Sequence, residues 1–472
     1  MKSTHGLGDL TEFIPIYEHL LADNLSLLLD RHDRRPDYPF IDTKLSLISG
    51  KDFEERTQGY DITGRDVIYS WIQARGLEAL AGHLAWIPTA RTLGSAHKNA
   101  LASRSRHLLV TVLDTMESLR QVNTGRLSFM LSTSGVPLQV EDDGRVTAFD
   151  RIAGDANFSD LFYAKGLYAA GHALHRPGIC ANAEVNLRQI INAIFTRSFA
   201  SDQQPMDPRN RIGEVPGRFS HGPYMIALGG VATLLESTAH QEWAHIGATL
   251  IQHILDHHVN HGQFAHLPAW DFVEFIDSNG DPWRTGGIIL CDPGHSIEFV
   301  GLACNVLLAA RATGTLSGDL ADTEQRCREA LPALFKHVFE LGFSAREIGI
   351  YKAIDLITRQ PCNTTIPWWS LPETLRAGAL LMTLWPDREL QDTLKIFRKS
   401  HSAFFGHFVN PAVYSMAFQT LDVAGNPADV IPAVPDADPC YHTGLSLLDV
   451  LSVLYREALE NFPHPEQNLS PG

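Results

Sequence analysis

Residues 368–385 read WWSLPETLRAGALLMTLW, and residues 443–460 read TGLSLLDVLSVLYREALE. In both stretches the apolar residues recur at steps of three and four, the spacing that places them on one face of an α-helix. Pro386 follows the first stretch, and a proline ends a helix because it lacks the backbone N–H and clashes with the preceding turn. The same periodicity recurs along the chain of 472 residues. The sequence therefore predicts an all-α protein.

The periodicity predicts twelve helices. Their expected ranges are 11–33, 65–87, 94–120, 158–175, 183–199, 221–238, 240–260, 295–313, 320–342, 368–385, 387–404 and 443–460. The connections after even-numbered helices are mostly short, whereas long segments follow the odd-numbered ones. These long segments are 34–64, 121–157, 200–220, 261–294, 343–367 and 405–442. The second of them contains the alternating pattern LSFMLSTSGVPLQVEDDGRVTAF, which is typical of a β-hairpin.

The alternation of long and short connections favours one architecture. Antiparallel helices run alternately up and down, so long loops after every odd helix gather at one end of the molecule. Six helical hairpins in a double-layered ring, an (α/α)6 barrel, have such an end, with a crevice among loops that contain β-hairpins. The repeats of an α-solenoid should be alike at a fixed period, and these are not. We expect one (α/α)6 barrel over residues 1–461 and a disordered tail at 462–472.

The composition restricts the class of partner and the location. The chain has 38 Lys and Arg against 54 Asp and Glu, a net charge of −16. Nucleic acid and anionic membrane surfaces attract basic patches, so the charge argues against both. The cysteines form no CxxC pair, which argues against a zinc knuckle or a thioredoxin-type site. The sequence has no recognisable secretory signal or long apolar run, so we expect a cytoplasmic protein without a membrane span.

Polar residues near the starts of the even-numbered helices are the candidate functional residues. These helices should form the inner ring, with their N-termini facing the crevice. Glu298 follows His295 by three residues, so the two side chains project from nearly the same helix face. The candidates are Arg75 in WIQARGLEAL, His295 and Glu298 in DPGHSIEF, Glu373 in PWWSLPETLRA, and His442 in CYHTG.

These segments resemble motifs of the N-acylglucosamine 2-epimerase family, which includes cellobiose 2-epimerases, mannose isomerases and sulfoquinovose isomerases. WIQARGLEAL resembles the family's first inner helix with its arginine, and DPGHSIEF resembles the PGHxxE signature. PWWSLPETLRA resembles the WWxxxE pattern, and CYHTG resembles the tyrosine–histidine pair that ends the last loop. FSDLFYAKGLYAAG, at 158–171, resembles the second inner helix. The motifs occur in family order over residues 75–442, which is nearly the whole chain.

The resemblance implies an (α/α)6 barrel and acid–base chemistry at C1 and C2 of a reducing sugar, with no metal and no other cofactor. It implies that His442 removes the C2 proton and that His295 moves protons around O1 and O2. Arg75 would stabilise the enediolate, and Glu298 would orient His295 or bind a hydroxyl group. The family likeness also suggests a homodimer. The residues expected to bind the small-molecule sugar are Glu373, His221, Trp368, Trp369 and Tyr441.

The chemistry of these side chains agrees with the implied mechanism. Removing a proton next to a carbonyl needs a base with a pKa near the working pH, and histidine has an ordinary pKa of about 6.5. The enediolate needs a cation that keeps its own proton, and arginine is such a cation. Two bases on opposite faces of the sugar allow epimerisation, whereas return of the proton to C1 gives isomerisation. The sequence leaves these two outcomes open.

Two other functions remain open. A glycoside hydrolase or polysaccharide lyase on the same barrel would use carboxylates, which Glu298 and Glu373 could supply. A catalytically inactive sugar-binding regulator would use the histidines only as ligand contacts. The stretch RFSHGPYMIALGG has only His221 where several relatives carry an asparagine and a histidine, and Gly444 and Leu445 stand where many relatives have an arginine nearby. The sequence therefore does not identify the sugar.

One further group of histidines has part of a metal-ligand spacing. His253 and His257 are one helical turn apart, but the HExxH pattern of zinc proteases is missing. The helix is odd-numbered and should lie outside. We therefore expect a solvated polar face for the whole group, which comprises His253, His257, His258, His261 and His266.

Overall fold

The computed structural model describes residues 7–54, 59–150, 156–204, 206, 215–431 and 433–461. Within these ranges the chain forms twelve α-helices, as the sequence predicts. They are Ile14–Arg34 (α1), Ser70–Trp86 (α2), Ser95–Val122 (α3), Phe158–Ala173 (α4), Pro177–Phe195 (α5), Gly222–Thr238 (α6), Gln241–His257 (α7), Pro293–Thr313 (α8), Asp319–Gly342 (α9), Ser370–Leu384 (α10), Leu390–Ala403 (α11) and Ser446–Asn461 (α12). The tail predicted at 462–472 lies outside the described residues.

The even-numbered helices form a closed inner ring. Each packs against the next even-numbered helix, from α2 through α4, α6, α8 and α10 to α12, and α12 returns to α2. The odd-numbered helices lie outside, and α9 contacts both α7 and α11. Nearly every residue of α10 is buried, whereas α11 buries only one face, as expected for an inner and an outer helix. The fold is the predicted (α/α)6 barrel.

Short strands occupy the long connections. The first four strands form an antiparallel sheet in chain order, which confirms the hairpin pattern predicted in 121–157. A second four-stranded sheet has the order β10-β9-β8-β7, and the other strands pair in twos. The strands are Val67–Tyr69 (β1), Met130–Ser132 (β2), Pro137–Val140 (β3), Val146–Ala148 (β4), Phe219–Ser220 (β5), Phe275–Ile276 (β6), Arg284–Thr285 (β7), Ile288–Cys291 (β8), Ala353–Asp355 (β9), Gln360–Asn363 (β10), Ile366–Pro367 (β11), Val409–Asn410 (β12), Met416–Ala417 (β13) and Thr420–Leu421 (β14).

Several helix starts differ from the predicted ones, and three of the differences have a structural explanation. The prediction began the second helix at residue 65, but β1 occupies 67–69 and the helix begins at Ser70. It began the fifth helix at 183, whereas the helix begins at Pro177, because proline's fixed φ angle suits the first helical position. It began the twelfth helix at 443, but a π-helical turn, Tyr441–Leu445, precedes α12. Periodicity alone does not distinguish such a turn from the first turn of an α-helix.

Two consecutive glycines in α6 make room for a lysine of the neighbouring inner helix. A Cβ at Gly229 would lie 2.9 Å from Nζ of Lys165, and one at Gly230 would lie 3.0 Å from its Cγ. The buried ammonium group of Lys165 donates to Tyr441 Oη at 3.0 Å and pairs with Glu78 Oε2 at 3.4 Å. The GG step therefore serves the packing of α6 against α4.

In the described part of the chain, one helix has the length and apolar composition that could cross a membrane. This helix is α8, and 72% of its most apolar window is buried inside the protein. Such burial is what the core helix of a barrel requires, and α8 packs between α6 and α10.

Candidate functional site

His295 and His442 both contact one aromatic ring, that of Trp369. The ring centroid of Trp369 is 5.2 Å from that of His295 and 5.5 Å from that of His442, so the two imidazoles are less than 11 Å apart. His295 lies in the first turn of α8, Trp369 at the start of α10, and His442 just before α12. The N-termini of three inner helices therefore bring the two rings, 147 positions apart in the chain, into one crevice.

His442 is held by side chains of the barrel interior. Its Nδ1 lies 3.0 Å from Glu373 Oε1, and its side chain is 11% exposed. Burial lowers the pKa of His442 to about 4, with Arg75 contributing and Glu298 opposing. The ring is therefore neutral at neutral pH. A carboxylate accepts hydrogen bonds only, so Nδ1 carries the hydrogen and the lone pair is on Nε2.

His295 has the opposite electrostatic environment. Its Nδ1 lies 2.9 Å from Glu274 Oε1 and 3.4 Å from Asp292 Oδ2, and its side chain is 31% exposed. Burial and the nearby Lys352 lower the pKa of His295, but the charges of Asp292 and Glu274 outweigh them and raise it above the ordinary value. The protonated form of histidine is therefore favoured at one end of the crevice and the neutral form at the other.

Arg75 lies in a cage of aromatic rings. Its guanidinium carbon is 4.2 Å from the ring centroid of Phe162, 5.3 Å from that of Tyr441 and 5.5 Å from that of Trp71. Among the described residues it forms no ion pair, and its buried Nε has no hydrogen-bond partner there. Aromatic faces attract a cation without neutralising it, so its full positive charge is available to an anion.

The predicted carboxylates both lie against His442. Glu298, Glu373 and His442 bring ligand atoms within 4.8 Å of one another. Glu373 is 1% exposed, and its second oxygen accepts from Arg376. Burial raises the pKa of Glu373, although the charge of Arg376 opposes this. Glu298 is 7% exposed and lies one turn beyond His295 on α8. Glu298 is thus near both histidines, whereas Glu373 supports His442.

The predicted aromatic contacts have different positions. Trp369 contacts both imidazoles, and Trp368 meets His442 edge-on with centroids 6.2 Å apart. Tyr441 is 8% exposed, and burial raises its pKa to about 12, so its hydroxyl keeps its proton. The structure brings all three rings to the crevice, where Trp369 is shared by the two halves of the site.

His221, predicted to bind the sugar, lies behind His295 rather than in the crevice. Its side chain is 1% exposed, and its Nε2 lies 3.2 Å from Glu274 Oε2. The antiparallel strands β5 and β6 pair Ser220 with Phe275. This places His221, the residue after Ser220, beside Glu274, the residue before Phe275. His221 cannot contact a ligand without a rearrangement. The predicted contact between His221 and the sugar is therefore corrected, because the buried side chain contacts Glu274 instead.

Sequence reasoning missed four residues that shape the site. Glu274 holds His295, Asp292 caps α8 by accepting from Gly294 N and His295 N, and Lys352 binds Asp292. Asp438 accepts from the backbone N–H groups of Tyr441 and Thr443 at 3.0 and 3.3 Å. One signal was available, because Glu274 interrupts the apolar run DFVEFI, and a carboxylate there must be paired. The others have only ordinary loop sequences around them.

Within the described ranges, two sets of side chains could each hold a metal ion. One is Glu298, Glu373 and His442; the other is His221, Glu274 and His295, whose ligand atoms also lie within 4.8 Å of one another. Histidine nitrogens and carboxylate oxygens are donors that Zn²⁺ uses in proteins. Hydrogen bonds inside each set already use the same atoms, so a metal would have to displace imidazole protons.

The histidine group of α7 is only in part the predicted solvated face. His258 is fully buried, and its Nδ1 lies 2.8 Å from Val273 O. His253 stacks on Tyr224 with centroids 3.7 Å apart. The prediction is wrong for His258, because it ends α7 and turns into the core beside His221, at 5.4 Å between ring centroids.

Comparisons with known proteins point to the same family as the motifs. Residues 154–445 match the family model for N-acylglucosamine 2-epimerase. No curated protein matches the sequence. A solved structure of D-mannose isomerase is 13% identical, covers 90% of this chain and 97% of its own, and has a TM-score of 0.59. Cellobiose 2-epimerase from Spirochaeta thermophila DSM 6192 is 12% identical, with 92% and 98% covered and a TM-score of 0.58.

A third solved structure, cellobiose 2-epimerase from Bacillus thermoamylovorans B4167, is also 12% identical. It covers 82% of this chain and 88% of its own, with a TM-score of 0.55. At these identities the likeness to solved structures concerns the fold. The family model spans more than half of the chain and includes His295, Glu373 and His442. The protein is therefore an isomerase-class enzyme of the N-acylglucosamine 2-epimerase family.

Proposed function

We propose that the enzyme interconverts reducing sugars by proton transfer at C1 and C2 between two histidines, without a metal or other cofactor. The observation that supports this best is the opposite displacement of two pKa values in one crevice, raised for His295 and lowered to about 4 for His442. Two groups whose pKa values are shifted in opposite directions can serve as an acid and a base at the same pH. His442 is the base in this proposal, and His295 is the acid.

In the forward direction His442 Nε2 takes the proton from C2 of the open-chain aldose. The C–H electron pair forms the C1–C2 double bond, and the carbonyl electrons move to O1, which receives a proton from His295. The enediol then receives the proton of His442 at C1 and gives its O2 proton to His295. The product is the ketose, and both histidines regain their starting protonation states.

Epimerisation follows if C2 is reprotonated from the opposite face. Both imidazoles contact the ring of Trp369, so a sugar bound against that ring would have two candidate proton donors within reach. We therefore keep both outcomes, 2-epimerisation and aldose–ketose isomerisation, within one proposed mechanism.

The supporting groups have separate tasks in this mechanism. Glu373 accepts the Nδ1 hydrogen of His442, which keeps the reactive lone pair on Nε2. Glu298 lies beside His442 and stabilises the imidazolium that forms when the base takes a proton. The charge of Arg75, caged by aromatic rings, stabilises the negative charge that develops on O1.

A hydrolase mechanism suits the carboxylates less well. Glycoside hydrolysis needs two carboxyl groups that flank the scissile bond. Glu373 is 1% exposed, and its oxygens are taken by His442 and Arg376. It has no free oxygen for a water or a sugar carbon.

The test is hydrogen exchange in D2O. The enzyme is incubated with a panel of free, N-acylated and disaccharide reducing sugars in the presence of EDTA, and C1 and C2 are followed by NMR. Deuterium should enter at C2 or C1 of at least one sugar, at the same rate with or without EDTA. A His245→Asn variant, altered at an exposed position of α7, is the control and should exchange like the wild type. Loss of exchange with EDTA would contradict the metal-free mechanism, and no exchange with any sugar would overturn the function.

We also propose a cytoplasmic location. All six cysteines are free, which is the state that a reducing compartment maintains. Fractionation of the producing cells measures the location, and recovery of the enzyme outside the cytoplasm would contradict it. Light scattering of the purified protein measures whether the expected homodimer forms.

A further inference from the structure

Glu274 is a buried carboxylate that serves two histidines at once. Oε1 lies 2.9 Å from His295 Nδ1, and Oε2 lies 3.2 Å from His221 Nε2. Burial disfavours the ionised form, but the charges and N–H groups of the two histidines hold the pKa of Glu274 well below its usual range. An ionised carboxylate only accepts, so both histidine nitrogens are donors. This leaves Nε2 of His295 as its working nitrogen.

The backbone of Val273, the residue before Glu274, is held by His258, the first residue after α7. His258 Nδ1 lies 2.8 Å from Val273 O, and Val273 N donates to His258 O at 2.8 Å. On the other side, Glu274 N donates to Leu290 O at 2.9 Å. Burial and the nearby His221 hold the pKa of His258 well below the usual value, so its ring is neutral and its Nδ1 is the donor. His258 therefore clamps the residue from which Glu274 extends.

His221 completes the arrangement from the inner helix α6. Its ring meets that of His258 edge-on, at 5.4 Å between centroids, and that of His295 at 5.6 Å. Its Nδ1 is buried and has no hydrogen-bond partner in the described ranges, so Nε2 makes its one polar contact, with Glu274. Neither His221 nor His258 has a solvent-exposed surface.

We infer that Glu274, His221 and His258 are positioning residues that hold His295 in the tautomer and charge state of the acid. This inference rests on the proposed function, because that function gives His295 its role. It assigns His221 to the support of Glu274 instead of to the sugar. The three residues come from α6, the end of α7 and the loop before α8, so three parts of the fold converge on one imidazole.

The consequence for pH follows from the charges around His295. Glu274 and Asp292 favour its protonated form, whereas Lys352 and burial disfavour it. Removing the charge of Glu274 therefore lowers the pKa of His295. The acid is then lost at a lower pH, so the alkaline limb of the kcat/KM profile moves to lower pH. The acidic limb belongs to His442 and should stay in place.

The first experiment replaces Glu274 with glutamine, which has nearly the same shape. We expect Glu274→Gln to lower kcat/KM about 100-fold, within the usual contribution of a general acid. The alkaline limb should move down by about one pH unit, the usual effect of one close opposite charge. Glu117→Gln is the matched control, because Glu117 is also a carboxylate that accepts from two side chains, but on the outer helix α3.

The second experiment replaces each supporting histidine with glutamine and, separately, with asparagine. The pair separates the effect of where the donor nitrogen lies from the effect of a smaller side chain. The amide nitrogen of glutamine can replace His Nε2, and that of asparagine can replace His Nδ1. His221→Gln should keep the wild-type pH profile, whereas His221→Asn should resemble Glu274→Gln. For His258 the order reverses, because its contact uses Nδ1, so His258→Asn should keep the profile and His258→Gln should lose it.

The outcomes separate this inference from the proposed function. If the wild type exchanges no hydrogen with any sugar, the function fails, and NMR titration of the His295 ring still measures whether Glu274→Gln lowers its pKa. If the wild type exchanges and Glu274→Gln leaves the alkaline limb unmoved, only the positioning inference is overturned. A reversed order in either amide pair would also overturn it. Thermal unfolding of each variant shows whether an inactive protein is folded.

Discussion

The two halves of the crevice hold the same side chain in different ways. His442 is 11% exposed and donates a hydrogen bond from Nδ1 to Glu373, a residue of the inner helix α10. His295 is 31% exposed and is surrounded by charged residues from the loops, namely Glu274, Asp292 and Lys352. Burial dominates in the first environment and lowers the pKa, whereas nearby negative charge dominates in the second and raises it.

This difference separates the roles of scaffold and loops. Packed helices exclude water from His442, and the charges of Glu298 and Arg75 act on it in opposite directions, so burial determines its charge and the imidazole is neutral. Loops bring charges from distant parts of the chain and can adjust an acid without repacking the core. We therefore expect changes at the His442 end to lower the rate most, and changes at the His295 end to lower it less and also to shift its pH dependence.

The largest expected effect is that of His442→Asn. The asparagine amide can still donate to Glu373, but no group remains to take the C2 proton. We expect kcat to fall about 10²- to 10⁴-fold, because this is the usual contribution of a positioned general base. Steady-state kinetics and deuterium uptake at C2 measure it. A loss of less than tenfold in a folded variant would contradict the assignment of the base.

The second prediction concerns the pH profile of the wild type. His442 must be deprotonated, so kcat/KM should fall as the pH drops through about 4. His295 must be protonated, so kcat/KM should also fall as the pH rises through its raised pKa. The result is a bell-shaped curve with a broad plateau between the limbs. A profile with a single limb would argue against two opposed histidines.

The third prediction, with a smaller effect, is that Lys352→Met moves only the alkaline limb. Lys352 lowers the pKa of His295, so its removal should raise that pKa and carry the limb to higher pH. The shift should be at most about one pH unit, because Lys352 is partly exposed and is paired with Asp292. Lys336→Met is the control, because Lys336 of α9 is also partly exposed and is also paired with an aspartate, Asp392. Movement of the acidic limb would mean that the two halves are coupled.

The smallest expected effect is that of Asp438→Ala. Asp438 accepts from the backbone N–H groups of Tyr441 and Thr443 and so holds the turn that carries His442. Its loss should cost about 1–2 kcal/mol of unfolding free energy, as for a lost helix cap, and lower kcat several-fold.

The control is Asp422→Ala, because Asp422 caps an exposed turn through Ala424 N and Asn426 N. It should also destabilise the protein slightly but leave kcat unchanged. Denaturant unfolding and steady-state kinetics of both variants check the pair. Equal kcat values for the two variants would show that the cap does not position His442.

Much of the barrel and part of the site could be predicted from the sequence. The helical periodicity and the long loops after the odd-numbered helices predicted the ring of helices, because both features can be read from the sequence without knowledge of tertiary contacts. His295, Glu298, Glu373 and His442 could be placed because each lies near the start of an inner helix, where the fold itself determines the direction.

The supporting residues could not be predicted in the same way. Glu274 reaches His295 only because β6 pairs with β5 and the backbone of Glu274 binds Leu290. Lys352 reaches Asp292 only because β9, in the loop after α9, pairs with β8, which ends just before Asp292. His221 was placed on the right helix, yet its burial depends on the long loop before α8. Such contacts join segments far apart in sequence, so the sequence can indicate that Glu274 needs a partner but does not indicate which residue it is.

The pair of glycines in α6 has a consequence for anyone who redesigns this barrel. Gly229 and Gly230 give Lys165 its path between two inner helices, and Lys165 holds the hydroxyl of Tyr441, the neighbour of His442. A methyl group at either glycine would press on the lysine, and a shorter residue in place of the lysine would leave a hollow. Mutant libraries should therefore vary the three positions together, since a change at one is tolerated only when the others compensate.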